Sequence, residues 1–231
     1  MTFLRMIGFF GRVTPIPGWC WVGMAATLPF AIWMEMTNAG SSSGSVIGLL
    51  LLQMMAVSTG FFSHARRGFY DPVLERSSRR SAAMAHFAAA ASPGAAIFVA
   101  IGLVEVVSAR SFAVLALGPA AGVALLMVST IPWAISARLG PLSGGVLWLL
   151  ASVSFAISGF GLPLLAAIRV AAQVPVTKTI LGALAFPIAL PGLPCPASTL
   201  GALAATSLAA LAATVEWIDR ADFPLREEEG S

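Results

Sequence analysis

The chain has 231 residues, 58% of them hydrophobic and only 10% charged, with a mean hydropathy of +0.90. Soluble domains carry about 25% charged residues, so composition excludes an ordinary soluble domain and indicates a helical membrane protein with no room for a sizeable second domain. A formal charge of +3 and a pI near 9.5 come without a polar surface on which nucleic acid could lie. Cys20 and Cys195 lack metal-ligand spacing and specify no disulfide framework.

In chain order, residues 3–13 (FLRMIGFFGRV) alternate apolar positions with Arg5 and Arg12. This pattern fits a short amphipathic helix in the membrane interface, with an N-terminal tail as the alternative. No cleaved signal is expected, because no uninterrupted apolar core precedes Pro15 and no small-residue cleavage site follows.

Six spans are expected over 18–36, 45–63, 82–108, 112–136, 146–168 and 198–218, using charges and turn clusters as punctuation. Trp19, Trp21 and Trp33 sit near the ends of the first span, where aromatic side chains favour the headgroup level. The third span contains Pro93-Gly94, and proline there removes a backbone hydrogen bond, so a kink or break is expected. Residues 176–196 are apolar but interrupted by Pro187, Pro191, Pro194 and Pro196, a pattern that suits a re-entrant or interfacial hairpin rather than a regular span. A charged tail over 219–231 ends the chain, and the whole reads as one transmembrane domain, 1–231.

Arginine placement orients the spans. With both termini on the same side, Arg5, Arg12, Arg66, Arg67, Arg76, Arg79, Arg80, Arg138, Arg220 and Arg226 share one face of the membrane, against Arg110, Arg169 and Lys178 on the other. The positive-inside rule then puts both termini and the polar loop 64–81 in the cytoplasm.

Polar residues within the spans are few. Gln53, His86 and Glu105 are the candidate pathway residues, with Glu35 near a membrane interface. An acidic residue inside a span is a functional candidate because its burial is costly. Glu105 either lines a path or carries protons, or it reaches the outer headgroups and pairs with Arg110. His86 has no companion ligands in sequence and reads as a packing or interface histidine rather than a metal ligand. No nucleophile elbow, HExxH or P-loop is present, so no catalytic site and no metal is expected in this chain. Gly118/Gly122 and Gly140/Gly144 have the small-residue spacing that permits close helix approach.

The loop HARRGFYDPVLERSSRRS (64–81) concentrates arginines around an apolar and aromatic centre. Asp71-Pro72 reads as a helix start, with Asp71 at the N-cap and Pro72 at the first helical position. Leu74 and Glu75 then fall on a short cytoplasmic helix. Headgroup anchoring accounts for the arginines but not for Phe69, Tyr70, Val73 and Leu74 between them.

An N-terminal interfacial helix, six spans, a capped loop helix between spans two and three, and a broken segment before the last span occur here in that order. In this the chain resembles the permease subunits of type-2 ABC exporters, and within them the short six-helix permeases such as the haem-exporter B subunit. The resemblance implies a pathway-forming subunit of the inner (plasma) membrane, working with a second permease copy or paralogue. ATP and magnesium would belong to a separate ATPase subunit, with no cofactor in this chain. Arg66, Arg67, Phe69, Tyr70, Asp71, Leu74, Glu75 and Arg76 would then couple it to that ATPase. A non-catalytic substrate-binding subunit and an assembly subunit of a larger membrane complex are the alternative readings.

Overall fold

The computed structural model describes residues 1–13, 18–37, 43–61, 65, 70–109, 118–147, 150 and 197–221. These residues form helices α1 (Phe3–Val13), α2 (Gly18–Met36), α3 (Ser43–Val57), α4 (Asp71–Leu74), α5 (Arg79–Ala109), α6 (Gly118–Leu139) and α7 (Ala197–Arg220), with no strand among them. Among the described residues three stretches are long and apolar enough to cross a membrane: Arg79–Val107, Gly118–Leu139 and Leu200–Arg220. Cys20–Trp33 and Gly48–Val57 are shorter apolar helices. The described residues are therefore all-helical apart from their turns, and their long apolar helices indicate a membrane-embedded protein. Nearly all of the expected span 146–168 and the whole of the expected hairpin 176–196 lie outside the described residues.

The outer surface fits lipid. Val99, Leu103 and Val107 recur every fourth residue on the far half of α5 and stay exposed, as do Val22, Phe30, Trp33 and Met36 on α2. In water such a surface would mark an interaction site; in hydrocarbon it is the ordinary exterior of a span.

The buried side is divided along the bundle axis. One apolar core joins α2, α3 and the first half of α6 through Met24, Leu49, Leu50, Met54, Ala124, Met127 and Val128, with Ile101 of α5 and Leu203 of α7 added. The other lies at the end of the bundle bearing α1 and α4, and collects Met6, Phe10, Phe61, Tyr70, Val73, Trp133, Ala137, Leu211, Val215 and Ile218. α6 is the central helix, buried over most of its length.

Several expected boundaries move for identifiable reasons. The helix expected to run to residue 63 ends at Val57. There the Ser58 hydroxyl donates to the Met54 carbonyl at 2.7 Å, and the Thr59 N–H turns back to the Val57 carbonyl at 2.7 Å. The third span starts at Arg79 rather than 82, because Ser78 caps it: its Oγ accepts the Ser81 N–H at 3.3 Å and its carbonyl accepts the Ala82 N–H at 3.0 Å. α5 stays helical through Pro93, so the helix does not break there. The fourth expected span, 112–136, is helical over Gly118–Leu139, and 110–117 lie outside the described residues.

The turn after α6 depends on small residues. Gly140 takes φ +120°, a left-handed value that glycine adopts without penalty, and Leu142 takes φ 64°. The Leu142 N–H then donates to the Ser58 carbonyl at 2.6 Å, pinning the turn to the end of α3. The next residues press against α6. The Gly144 N–H donates to Ser136 Oγ at 2.8 Å, and a Cβ at Gly144 would lie 2.6 Å from the Pro132 carbonyl carbon. Gly144→Ala is therefore expected to destabilise the detergent-solubilised protein by about 1–3 kcal/mol through overpacking against backbone. Gly8→Ala on α1, where nothing lies within 4 Å, should be neutral or slightly stabilising. Denaturant or thermal melting of the two variants side by side checks the contrast.

Candidate functional site

The loop and the N-terminal helix meet the bundle at one buried histidine. His86 lies in the first half of α5 and is fully buried. Trp133, fully buried in α6, donates its indole N–H to His86 Nδ1 at 3.0 Å. Indole nitrogen can only donate, so Nδ1 must be the bare, accepting nitrogen. The ring is then the neutral form with its proton on Nε2, and Thr59 Oγ1 lies 3.5 Å from that nitrogen.

Aromatic rings enclose this pair. Phe10 of α1 stands edge-on to His86 with ring centroids 5.4 Å apart, and Phe61 does the same at 5.2 Å. Tyr70 is tilted against His86 at 5.6 Å and stands edge-on to Phe10 at 4.9 Å. Phe87 packs edge-on to Trp133 at 5.3 Å. Edge-to-face pairs of this kind contribute about 0.5–1.5 kcal/mol each beyond area burial. The amphipathic pattern of α1 thus has a definite use: Met6 and Phe10 face the bundle, while Arg5 and Arg12 stay exposed.

α4 is a single turn seated on that cluster. Tyr70, not Asp71, is its N-cap residue, with φ −106° and ψ 1°, and no side chain caps the turn. The expected Asp71 cap is therefore corrected. Tyr70 supplies its carbonyl to the Val73 and Leu74 N–H groups at 3.0 and 2.9 Å, while its buried ring fixes where the turn begins. Asp71 occupies the first turn, where its charge suits the positive end of the helix. Ser77 Oγ donates to the Val73 carbonyl at 2.6 Å and closes the far side. Tyr70 and Val73 face inward, Asp71 and Leu74 are half-buried, and Pro72, Glu75 and Arg76 project outward. Arg66, Arg67 and Phe69, expected in the same surface, lie outside the described residues.

Charged contacts join α5, α6 and α7 at the same end of the bundle. Arg80 binds two carboxylates of α7, with Nη2 at 2.7 Å from Glu216 and Nε at 2.7 Å from Asp219. Glu216 also pairs with Arg220 at 2.7 Å, one helical turn away. Arg79 donates to the Ala221 carbonyl at 2.7 Å, a cation set at a helix C-terminus. Arg138 lies 5.1 Å over the Trp217 ring. Each exposed ion pair is worth about 0–1 kcal/mol, but the Arg79 and Arg80 contacts together tie α5 to α7 at the basic end. Charge counting treated Arg79 and Arg80 as loop cations and missed these partners; the signal was the Glu216, Asp219, Arg220 spacing at the end of the last helix.

Of the three candidate pathway residues, only His86 belongs to this cluster. Gln53 is fully buried about one turn deeper, where its Nε2 reaches the Ala90 carbonyl at 3.3 Å. Glu105 is half-buried near the opposite end of α5, and Arg110, its partner in one of its two expected readings, lies outside the described residues. Among the described residues no group of three or more His, Cys, Asp or Glu side chains is placed to hold a metal ion. Comparison of the chain with protein-family models, curated proteins and solved structures gives no match.

The Trp133 to His86 bond predicts an asymmetric mutational response. His86→Phe keeps a ring but leaves the buried indole N–H without its acceptor, costing about 1–3 kcal/mol. Adding Trp133→Phe removes the stranded donor, so the double variant should recover part of the loss despite its smaller ring. Thermal melts of the two single variants and the double variant would reveal this; simply additive losses would show that the bond does not organise the cluster.

Proposed function

We propose that this chain is the membrane-spanning permease subunit of an ATP-driven ABC transporter of the type-2 exporter kind. In this reading it has six spans, works as a pair of permeases in the inner (plasma) membrane, and keeps both termini and the 64–81 loop in the cytoplasm. The observation that carries the reading is the construction of α4. Its inward residues, Tyr70 and Val73, are buried against α1 and α5, while Pro72, Glu75 and Arg76 are presented outward. A turn of four residues has no stability of its own. Holding one on an aromatic cluster that continues into Trp133 of the central helix suits a part that receives a push and passes it into the bundle.

The clustering of basic residues supports the orientation. Arg12, Arg76, Arg79, Arg80, Arg138 and Arg220 gather at the end of the bundle marked by Tyr70, Phe10 and the α7 terminus. Cytoplasmic ends of spans carry such an excess. ATP and magnesium would be bound by the ATPase subunit, which meets the outward face of α4 with complementary charge.

The structure changes which residues test the idea. Tyr70 is internal, so its replacement would disturb packing and coupling together. Glu75→Arg combined with Arg76→Glu reverses the exposed charges instead, and should leave the melting temperature of the isolated subunit unchanged. Purified in mild detergent from its native membranes, the unaltered chain should bring an ATPase subunit with it, and the charge-reversed chain should recover at least tenfold less. Repeated recovery of the intact chain without any ATPase would overturn the proposal.

A further inference from the structure

We propose that Gln53 is the clamp of a swivel built into α5 at Ala89–Gly94, at the boundary between the two apolar cores. This inference goes beyond the transport reading and does not depend on what binds the loop. Proline at position 93 has no N–H, so the Ala89 carbonyl loses its regular helical donor. In hydrocarbon no water replaces that donor. Ser92 Oγ donates to the Ala89 carbonyl at 3.2 Å instead. From α3, Gln53 Nε2 donates to the Ala90 carbonyl at 3.3 Å and reaches Ala91 O at 3.5 Å. The same nitrogen lies 3.3 Å from Ser129 Oγ of α6. Only the amide nitrogen can serve these acceptors, which fixes the orientation of the carboxamide.

Gly94 makes the approach possible. A Cβ there would lie 2.5 Å from Gln53 Cδ and would overlap the carboxamide oxygen. That oxygen is buried and has no hydrogen-bond partner among the described residues, so the side chain is held by its donors alone. Gln53 and Ser129 form a polar level, with the core of Met54, Met127 and Val128 on one side and that of Val57, Ala89, Ala90 and Trp133 on the other. Below it, α5 is attached to α1, α4 and α7; above it, α5 packs beside α2. A helix weakened at this level can tilt its two halves independently, and the Gln53 amide is the group that restrains it.

The test uses the full chain in lipid nanodiscs, with Cys20 and Cys195 changed to Ala and spin labels at Met84→Cys and Leu103→Cys. Both positions face outward and lie about 28 Å apart along a helix. With Gln53 intact, pulsed dipolar spectroscopy should give one narrow distance distribution. Gln53→Leu should at least double its width, and adding Pro93→Ala, which restores the donor to Ala89, should return the width to that of the parent. An unchanged width in Gln53→Leu, or a broadening that survives Pro93→Ala, would overturn the inference. Should Gln53→Leu fail to insert, Gly94→Ala displaces the carboxamide without deleting a polar group; it is expected to broaden the distribution in the same way, and an unchanged width there is equally contrary.

Discussion

The aromatic cluster that seats α1 and α4 centres on one buried hydrogen bond, from the Trp133 indole to His86 Nδ1 at 3.0 Å. Inside an apolar bundle an N–H without an acceptor is costly, and Trp133 has only this donor to place. Its choice of His86 sets the tautomer, and so the orientation, of a ring on which Phe10, Phe61 and Tyr70 all pack. α1 and α4, neither able to stand alone, take their positions from that ring. Surface charge adds a second, weaker tie through Arg80, Glu216 and Asp219.

The bundle uses its few polar side chains sparingly and at separate depths. Ion pairs lie at the rim, the Thr59, His86 and Trp133 set lies just inside it, and the Gln53 and Ser129 pair lies about one turn deeper. Each level joins different helices: α5 to α7 at the rim, α5 to α6 at His86, and α3 to α5 and α6 at Gln53. Apolar packing between these levels is nonspecific in direction, so the polar contacts fix which residues face one another. Through Tyr70 and His86, α4 is connected to Trp133 of the central helix.

Much of the helical order was legible from residue type alone. α1 and α2 span the residues expected, and the sequence between and after them carries Pro15, Pro17 and a polar run. Boundaries failed where polar groups cap helices locally: Ser58 ends α3 early, and Ser78 starts α5 early, although neither stands out in an apolar window. Asp71 carried the chemistry of a cap, but burial of Tyr70 moved the start of the turn back by one residue. His86 and Gln53 were recognisable as unusual, while their partners were not, since Trp133 lies 47 positions from His86 and Ser129 lies 76 from Gln53. Pairings at such separations are set by tertiary packing and leave no local pattern.

The protonation pattern of His86 tests the central interaction most directly. The chain contains two histidines, so His64→Gln leaves His86 as the sole imidazole for nitrogen-15 labelling and solid-state NMR in lipid. Near neutral pH the account predicts a neutral ring, protonated at Nε2, with Nδ1 showing the shift of a hydrogen-bonded acceptor coupled to the Trp133 indole proton. A proton on Nδ1, or a ring protonated at both nitrogens under those conditions, would contradict it.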